Sequence, residues 1–437
     1  MAQIPHTWAE LHIFGALGGT RTPNPLIRSQ MLYPLSYERK RRGHSTGDAA
    51  PLPTSRSSQM CIDVQLRQEP ATIISFDMHR DSCDVRIGIV GTDLAPLNPG
   101  VGALEKLCLG WAEELELMGF QISLFSVGSP YKPLIGNQEF HVFVDQNDLH
   151  AKLSSANLDA VIVNNRPSWN AAGINSRINI FHNYPDAWLV EPDDNLTLIL
   201  SKSRNLAVSA ALAEQVNRVY PTARASILYP FIERPFIEAS NDAIPETLNG
   251  SHHKIRVLFP NRTLEKKGLR FLIAAIDTHL LDETYLTVVR NISPWTAETA
   301  EHRSLLDLAR SRPYVTIKEK VLNTKELIEL YRAHDVIVTP SVQPEGLGLI
   351  PLEAQATGVP VVAPDLGGLT ESVFPPNLTV PVGSTSELAK AIASATKISN
   401  AERESLASLI AGRFSRAQSA RALAAEIEAL LHSDGLR

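Results

Sequence analysis

Cysteine is scarce in this chain: three residues in 437, at Cys61, Cys83 and Cys108. Their spacing makes neither an even-numbered disulfide framework nor a metal-ligand set, so a disulfide-stapled secreted fold is excluded and a reducing cytoplasm is the simplest home. No apolar run approaches the roughly 18 to 20 residues that span a bilayer, which leaves at most peripheral membrane contact. Positive charge is not in excess either. Against 41 Lys and Arg stand 47 Asp and Glu, a net charge of −6, which gives no case for nucleic acid as a partner and confines any anion site to a local basic pocket. Asp-x-Asp occurs nowhere, so a common means of holding a divalent ion on a diphosphate is missing and no metal is expected. There is no Walker loop and no Gly-x-Ser-x-Gly elbow. Gly100-Val101-Gly102 imitates part of a dinucleotide fingerprint but lacks the third glycine, making a nicotinamide dehydrogenase a weak rival.

What is present is an ordinary globular composition, 44% hydrophobic and 20% charged, in a chain long enough for two domains and extra segments. Residues 1–83 stand apart, with Pro, Ser and Arg clusters, the basic run Arg39-Lys40-Arg41-Arg42 and no sustained periodicity. The stretch GGTRTPNPLIRSQMLYPLSYERKRR (18–42) resembles a bacterial transfer-RNA gene read through as protein, which implies a true start at Met60 or Met78. A disordered tail and a transit peptide are the alternatives.

From residue 84 the pattern changes. VRIGIVG (85–91) is a short β-rich run of the kind buried in parallel sheets, GVGALEKLCLGWAEELELMG (100–119) has helical spacing and stops at Gly119, and FQISLFSVG (120–128) is a second strand. LDAVIVNN (158–165) and RINIFHN (177–183) continue the alternation, and 195–221 holds a strand and then a helix. A polar stretch at 238–253 reads as a linker. Strands then recur at IRVLFPN, YLTVVRN, YVTIKE, DVIVTPS and PVVAPD, separated by helices. The prediction is an α/β fold of two Rossmann-like parallel-sheet domains, 84–237 and 254–415, facing a cleft, with a final helix over 416–437.

At the carboxyl end of DVIVTPS comes PEGLGLIPLEAQATGVPVVAPDLGG (344–368), with Glu345, Gly346, Leu347 and Gly348 in a turn, and Leu349 opening a helix that carries Glu353. A helix start offers backbone N–H groups and partial positive charge to a diphosphate, and glycines let it approach. Glu353 one turn on suits ribose hydroxyls, and Glu345 suits those of a sugar. The plain alternative is that acids gather at a helix start because the macrodipole favours them.

The order glutamate, seven residues, glutamate resembles the signature of retaining nucleotide-sugar glycosyltransferases of GT-B fold, of the type called family four or group 1. GGLTESV (367–373) and LIELYRAHDVIVTPS are similar to its flanks, and the likeness extends over about 85–430. It implies a nucleotide-sugar donor, a carbohydrate or lipid-linked acceptor and no cofactor. It also implies a glycine loop at Gly100 and Gly102 near the diphosphate, and a final helix packed back on the first domain. NRTLEKKG (261–268) resembles the family's basic loop, with Arg262 and Lys267 as the cations that stabilise the departing diphosphate; read alone, the stretch is an ordinary solvated basic turn. His182 falls where the family lines the donor-sugar pocket from the first domain, although a structural histidine reads equally well. Trp169, Tyr184 and Trp188 are either sugar-stacking or core aromatics. Asn261 replaces a glycine, LYPFIERPF (228–236) lacks the usual crossover motif, and TVVRNISP (287–294) lacks a glycine turn, so the resemblance fixes neither donor base nor sugar. Two rival classes remain: a non-catalytic sugar-nucleotide-binding module, and a nucleotide-sugar epimerase or phosphorylase on the same fold.

Overall fold

Apolar runs of five or six residues alternate with amphipathic helices, and each run becomes a strand covered on both faces. The computed structural model describes residues 85–92, 95–97, 102–128, 138–169, 176–185, 194–243, 254–290, 298–319 and 323–433, all within the unit Ser75–Arg437. The expected leader, Gly100 and Trp188 lie outside the described residues.

The first domain comprises β1 (Arg86–Val90), α1 (Ala103–Leu117), β2 (Gln121–Ser126), β3 (Glu139–Val142), α2 (Gln146–Ser155), β4 (Ala160–Asn164), β5 (Arg177–Phe181), α3 (Asp194–Lys202), β6 (Arg204–Ala207), α4 (Ala210–Val219) and β7 (Ser226–Ile227). Its strands lie in the order β3-β2-β1-β4-β5-β6-β7, every pair parallel. Ile87 sits between Ile122 and Ala160, and the whole of AVIVN in β4 is buried, as parallel strands flanked by helices require.

The second comprises α5 (Arg234–Ala239), β8 (Ile255–Phe259), α6 (Leu269–His279), β9 (Thr284–Val289), α7 (Ala300–Arg310), β10 (Val315–Lys318), α8 (Thr324–Arg332), β11 (Val336–Val338), α9 (Leu349–Ala356), β12 (Val361–Pro364), α10 (Leu369–Ser372), β13 (Leu378–Val380), α11 (Thr385–Ala395), α12 (Asn400–Arg413) and α13 (Arg416–Ser433). Its sheet runs β10-β9-β8-β11-β12-β13, again parallel throughout. Capping boxes set the starts of α8 (Asn323 with Glu326) and α12 (Ser399 with Glu402).

One apolar core joins the halves: Ile87, Trp111 and Ile180 share it with Leu347, Leu352 and Leu369. Trp111 Nε1, on α1, donates to Ser419 Oγ of α13 at 2.9 Å, and Arg416 pairs with Glu113, so the last helix lies on the first domain. The chain crosses between domains twice, and the crossings touch where Ile232 N donates to Phe414 O at 3.0 Å.

The structure departs from the sequence reading at margins. Helix α5 runs to Ala239, into the stretch read as a linker from 238, because Pro235 presets its first turn and Phe236 and Ala239 bury one face. Strands β3, β7 and β13 are sheet edges of two to four residues, too short and too exposed to show a buried run.

Candidate active site

Two segments at the carboxyl ends of β8 and β11 build the centre of the site. After β8 the chain turns through Asn261-Arg262-Thr263, makes a short 3₁₀ turn at Glu265–Lys267, and enters α6 through Gly268 at φ +79°. That glycine is obligatory twice over: its φ is left-handed, and a Cβ would stand 1.8 Å from the carbonyl oxygen of Pro340. The same packing lets Val342 N donate to Lys266 O at 2.9 Å.

This contact brings Lys267 to Glu345. Their side chains pair at 2.8 Å, 14% and 17% exposed, and Ser341 Oγ donates to the other oxygen of Glu345. Two residues assigned separate duties on the sequence thus meet as one ion pair. Arg262 is exposed and makes no ion pair among the described residues, which leaves its guanidinium available to an anion.

Gly346 is wedged against the first domain. A Cβ there would stand 2.0 Å from the carbonyl oxygen of His182, and Ser209 Oγ donates to Gly346 O. Gly348, at φ +89°, caps α9. The side chains of Leu347 and Leu349 belong to the core, so what these positions offer a ligand is backbone N–H.

His182 follows β5 and is half-buried. Asn164 Nδ2 donates to Val90 O at 2.9 Å, leaving Oδ1 to accept from His182 Nε2 at 3.0 Å. Desolvation pushes the imidazole pKa down to about 3, so the ring is neutral and donates through Nε2. Tyr184 also meets the second domain, with its hydroxyl 2.7 Å from where a Cβ on Gly367 would stand. Trp169 instead packs edge-on against Phe143 at 5.7 Å, as a core aromatic.

Glu353, one turn into α9, accepts from Tyr331 Oη at 3.1 Å. Burial pushes its carboxyl up to about 7; Lys106 and the tyrosine hydrogen bond oppose the rise, and Glu233 adds to it. Lys106, in the first turn of α1, pairs with Glu233 at 2.6 Å, and Thr324 Oγ1 joins Glu233 at 3.2 Å. Gly102 caps α1 in extended conformation. The room its missing side chain leaves is taken by Glu105, whose Oε2 lies 2.4 Å from a Cβ built there.

Sequence reasoning missed several of these groups. Tyr331 reads as a core aromatic of α8, and only its hydroxyl, which needs a partner when buried, signals more. Glu105 shares the buried face of α1 with Cys108, Ala112 and Leu115, and an acid at that helical spacing was a legible anomaly. Glu371, whose oxygens accept from Ala210 N and Ala211 N at 2.8 Å each and from Tyr229 Oη at 2.9 Å, lies in GGLTESV, where nothing local marks it as the cap of a helix in the first domain. Among the described residues no group of three or more His, Cys, Asp or Glu is arranged to hold a metal ion, and no helix is long and apolar enough to cross a membrane.

Two parallel-sheet domains with a helix-start cleft and a returning last helix define the GT-B fold of glycosyltransferases. Residues 254–397 match the family described as "Glycosyl transferases group 1", so the second domain is a domain of that group. The chain is 30% identical over 177 residues to alpha-maltose-1-phosphate synthase of Mycolicibacterium smegmatis, covering 38% of this chain and 45% of that protein. It is 35% identical over 125 residues to a D-inositol 3-phosphate glycosyltransferase of an Arthrobacter species, 28% of this chain and 29% of that one. The chain thus spans less than half the length of these curated relatives. Among solved structures, a glycosyltransferase of Rickettsia africae superposes with a TM-score of 0.63 at 18% identity, over 79% of this chain and 98% of that one. An Anabaena protein in complex with UDP-glucose gives 0.57 at 18%, over 79% and 99%.

Proposed function

We propose that the protein transfers a sugar from a nucleotide diphosphate to the hydroxyl of a carbohydrate or lipid-linked acceptor, with retention of configuration and without a divalent metal. The observation that carries this reading is the Lys267–Glu345 pair at 2.8 Å, fixed at the strand ends of a group 1 domain beside the exposed Arg262. UDP-glucose bound to a protein of the same fold supports a nucleotide-sugar donor.

In this scheme the diphosphate takes Arg262, the backbone amides at the start of α9 and, once loosened from Glu345, Lys267. The bond between the anomeric carbon and the diphosphate breaks, the acceptor oxygen joins that carbon from the same face, and its proton passes to the departing phosphate. Arg262 and Lys267 stabilise the charge that grows there. Glu345 then holds donor-sugar hydroxyls, Glu353 the ribose, and neutral His182, whose single N–H is taken by Asn164, accepts from a sugar hydroxyl through Nδ1 from the first domain.

The test is thermal-shift screening against UDP-, GDP-, ADP- and TDP-sugars, with Lys267→Ala as control, followed by assay of transfer with the donor that binds. Stabilisation by one nucleotide that the variant loses, together with turnover and release of nucleotide diphosphate, supports the reading. Binding without turnover argues for a non-catalytic module, and turnover without release of nucleotide diphosphate argues for an epimerase.

A further inference from the structure

The carboxylate of Glu105 occupies the place at the start of α1 that an anion would take. It sits over Gly102 at the start of α1, where backbone N–H groups and the helix dipole favour negative charge. Arg262 of the second domain is close enough for its charge to act on it. Yet Glu105 makes no ion pair among the described residues, and Thr92 Oγ1 reaches it only at 3.5 Å. The residue is 7% exposed. A carboxylate so buried, without a close cation, is held at a cost. Burial raises its pKa, against the opposing effects of its own backbone N–H, Thr92 and Arg262.

We infer that Glu105 is a donor-site residue of the first domain that stands in for the diphosphate between Gly102 and Arg262, and that it takes up a proton when a nucleotide diphosphate arrives. The inference rests on the reading of the cleft as a nucleotide-sugar site. The diphosphate brings negative charge to Arg262 and to the start of α1, the two features that favour the ionised form of Glu105. A second ionised group beside it is repelled, whereas a protonated carboxyl there donates a hydrogen bond to a phosphate oxygen. The groups facing Glu105 from the elements packed on it are Thr92 from the segment after β1, Cys108 on α1 itself and Arg262 from the segment after β8. Cys108 is pushed well above the ordinary thiol range by burial and by Glu105, so it stays protonated throughout.

Proton uptake sets the sign: donor affinity falls as pH rises through the titration of Glu105. Glu105→Gln keeps the shape, removes the charge and mimics the protonated form. The experiment is isothermal calorimetry on the full chain with UDP-glucose, GDP-mannose, ADP-glucose and TDP-glucose, in buffers of different ionisation enthalpy between pH 6 and 8. At pH 8 Glu105→Gln should bind the accepted donor about tenfold tighter than the unaltered protein, the size of one unit of pKa change. It should also take up fewer protons on binding. Glu353, whose carboxyl stands at about 7, contributes alike to both proteins, so the difference between them isolates Glu105. In an Arg262→Ala background the substitution should change affinity less than twofold.

Weaker binding by Glu105→Gln at every pH, or unchanged proton uptake, overturns the inference while leaving the glycosyltransferase reading intact. No binding of any of the four donors by the unaltered protein overturns both.

Discussion

Gly346 and the carbonyl of His182 touch backbone to backbone, so closely that a methyl group on Gly346 would stand 2.0 Å from that oxygen. The first residue after Glu345 is thereby a bearing point between domains. Gly346→Ala should lose about 1–3 kcal/mol, a fall of several degrees in melting temperature. Turnover should fall more than stability, because separating the domains there displaces His182 from the cleft. Calorimetry beside a transfer assay checks both, and an alanine variant with normal turnover would remove the bearing point from the mechanism.

The Lys267–Glu345 pair makes a second prediction. Lys267→Ala should reduce turnover by about 10²-fold to 10³-fold, the ordinary loss of one charge-stabilising group. Glu345 keeps the hydrogen bond from Ser341, so melting should shift much less than turnover does. Equal losses in both would mean that the pair is structural.

A third prediction concerns pH. The Glu353 carboxyl stands at about 7 in the folded protein, against about 4.3 in an unfolded chain. The folded state therefore binds the extra proton, and this contribution is whole below pH 4.3 and lost as pH rises through 7. Glu353→Gln should flatten that slope, worth on the order of 1–3 kcal/mol. His182 acts oppositely. Its pKa of about 3 lies below the unfolded 6.5, so its contribution is whole above pH 6.5 and lost as pH falls toward 3. Melting curves from pH 4 to 8 on Glu353→Gln and His182→Gln separate the two.

Glu371 ties the domains on the other side of Gly346. From α10 it caps the first turn of α4 in the first domain and accepts from Tyr229, while Arg413 lies 5.3 Å from the Tyr229 ring centre. Charge-assisted hydrogen bonds of this kind are worth about 1.5–3 kcal/mol, so Glu371→Ala should lower the urea midpoint clearly. Glu371→Gln, which keeps one acceptor, should lower it less. An unchanged midpoint in both variants would show that the cap contributes nothing.

How much of this was legible beforehand depended on where the determinants sit. β1, β4 and β8 were plain because each is a short apolar run, largely buried. Of the edge strands only β10, read as YVTIKE, was seen; β3, β7 and β13 were not, since they are two to four residues long and part of their surface meets solvent. Glu345, Glu353, Arg262 and Lys267 stood out because each lies in a short motif. Their mutual arrangement did not, because the contact of Lys267 with Glu345 is made by packing of Gly268 on Pro340, a relation between distant segments. The cross-domain roles of Glu371 and Ser209 were hidden for the same reason: Ser209 is a local N-cap of α4, but its hydrogen bond to Gly346 O, like the cap that Glu371 supplies to α4 from the second domain, joins distant segments.

The hydrogen bond from Trp111 to Ser419 bears on how the protein is made as well as how it is held. The first domain is synthesised early, but the surface of α1 that carries Trp111 is completed, beyond its contacts with His182 and Phe231, by α13, which is made after the second sheet. A nascent chain must therefore carry an unfinished first domain, with the Trp111 N–H still without its Ser419 partner, through the synthesis of the second sheet. Its completion is a late event, and truncation within α13 should leave a chain whose earlier half is the part that chaperones bind.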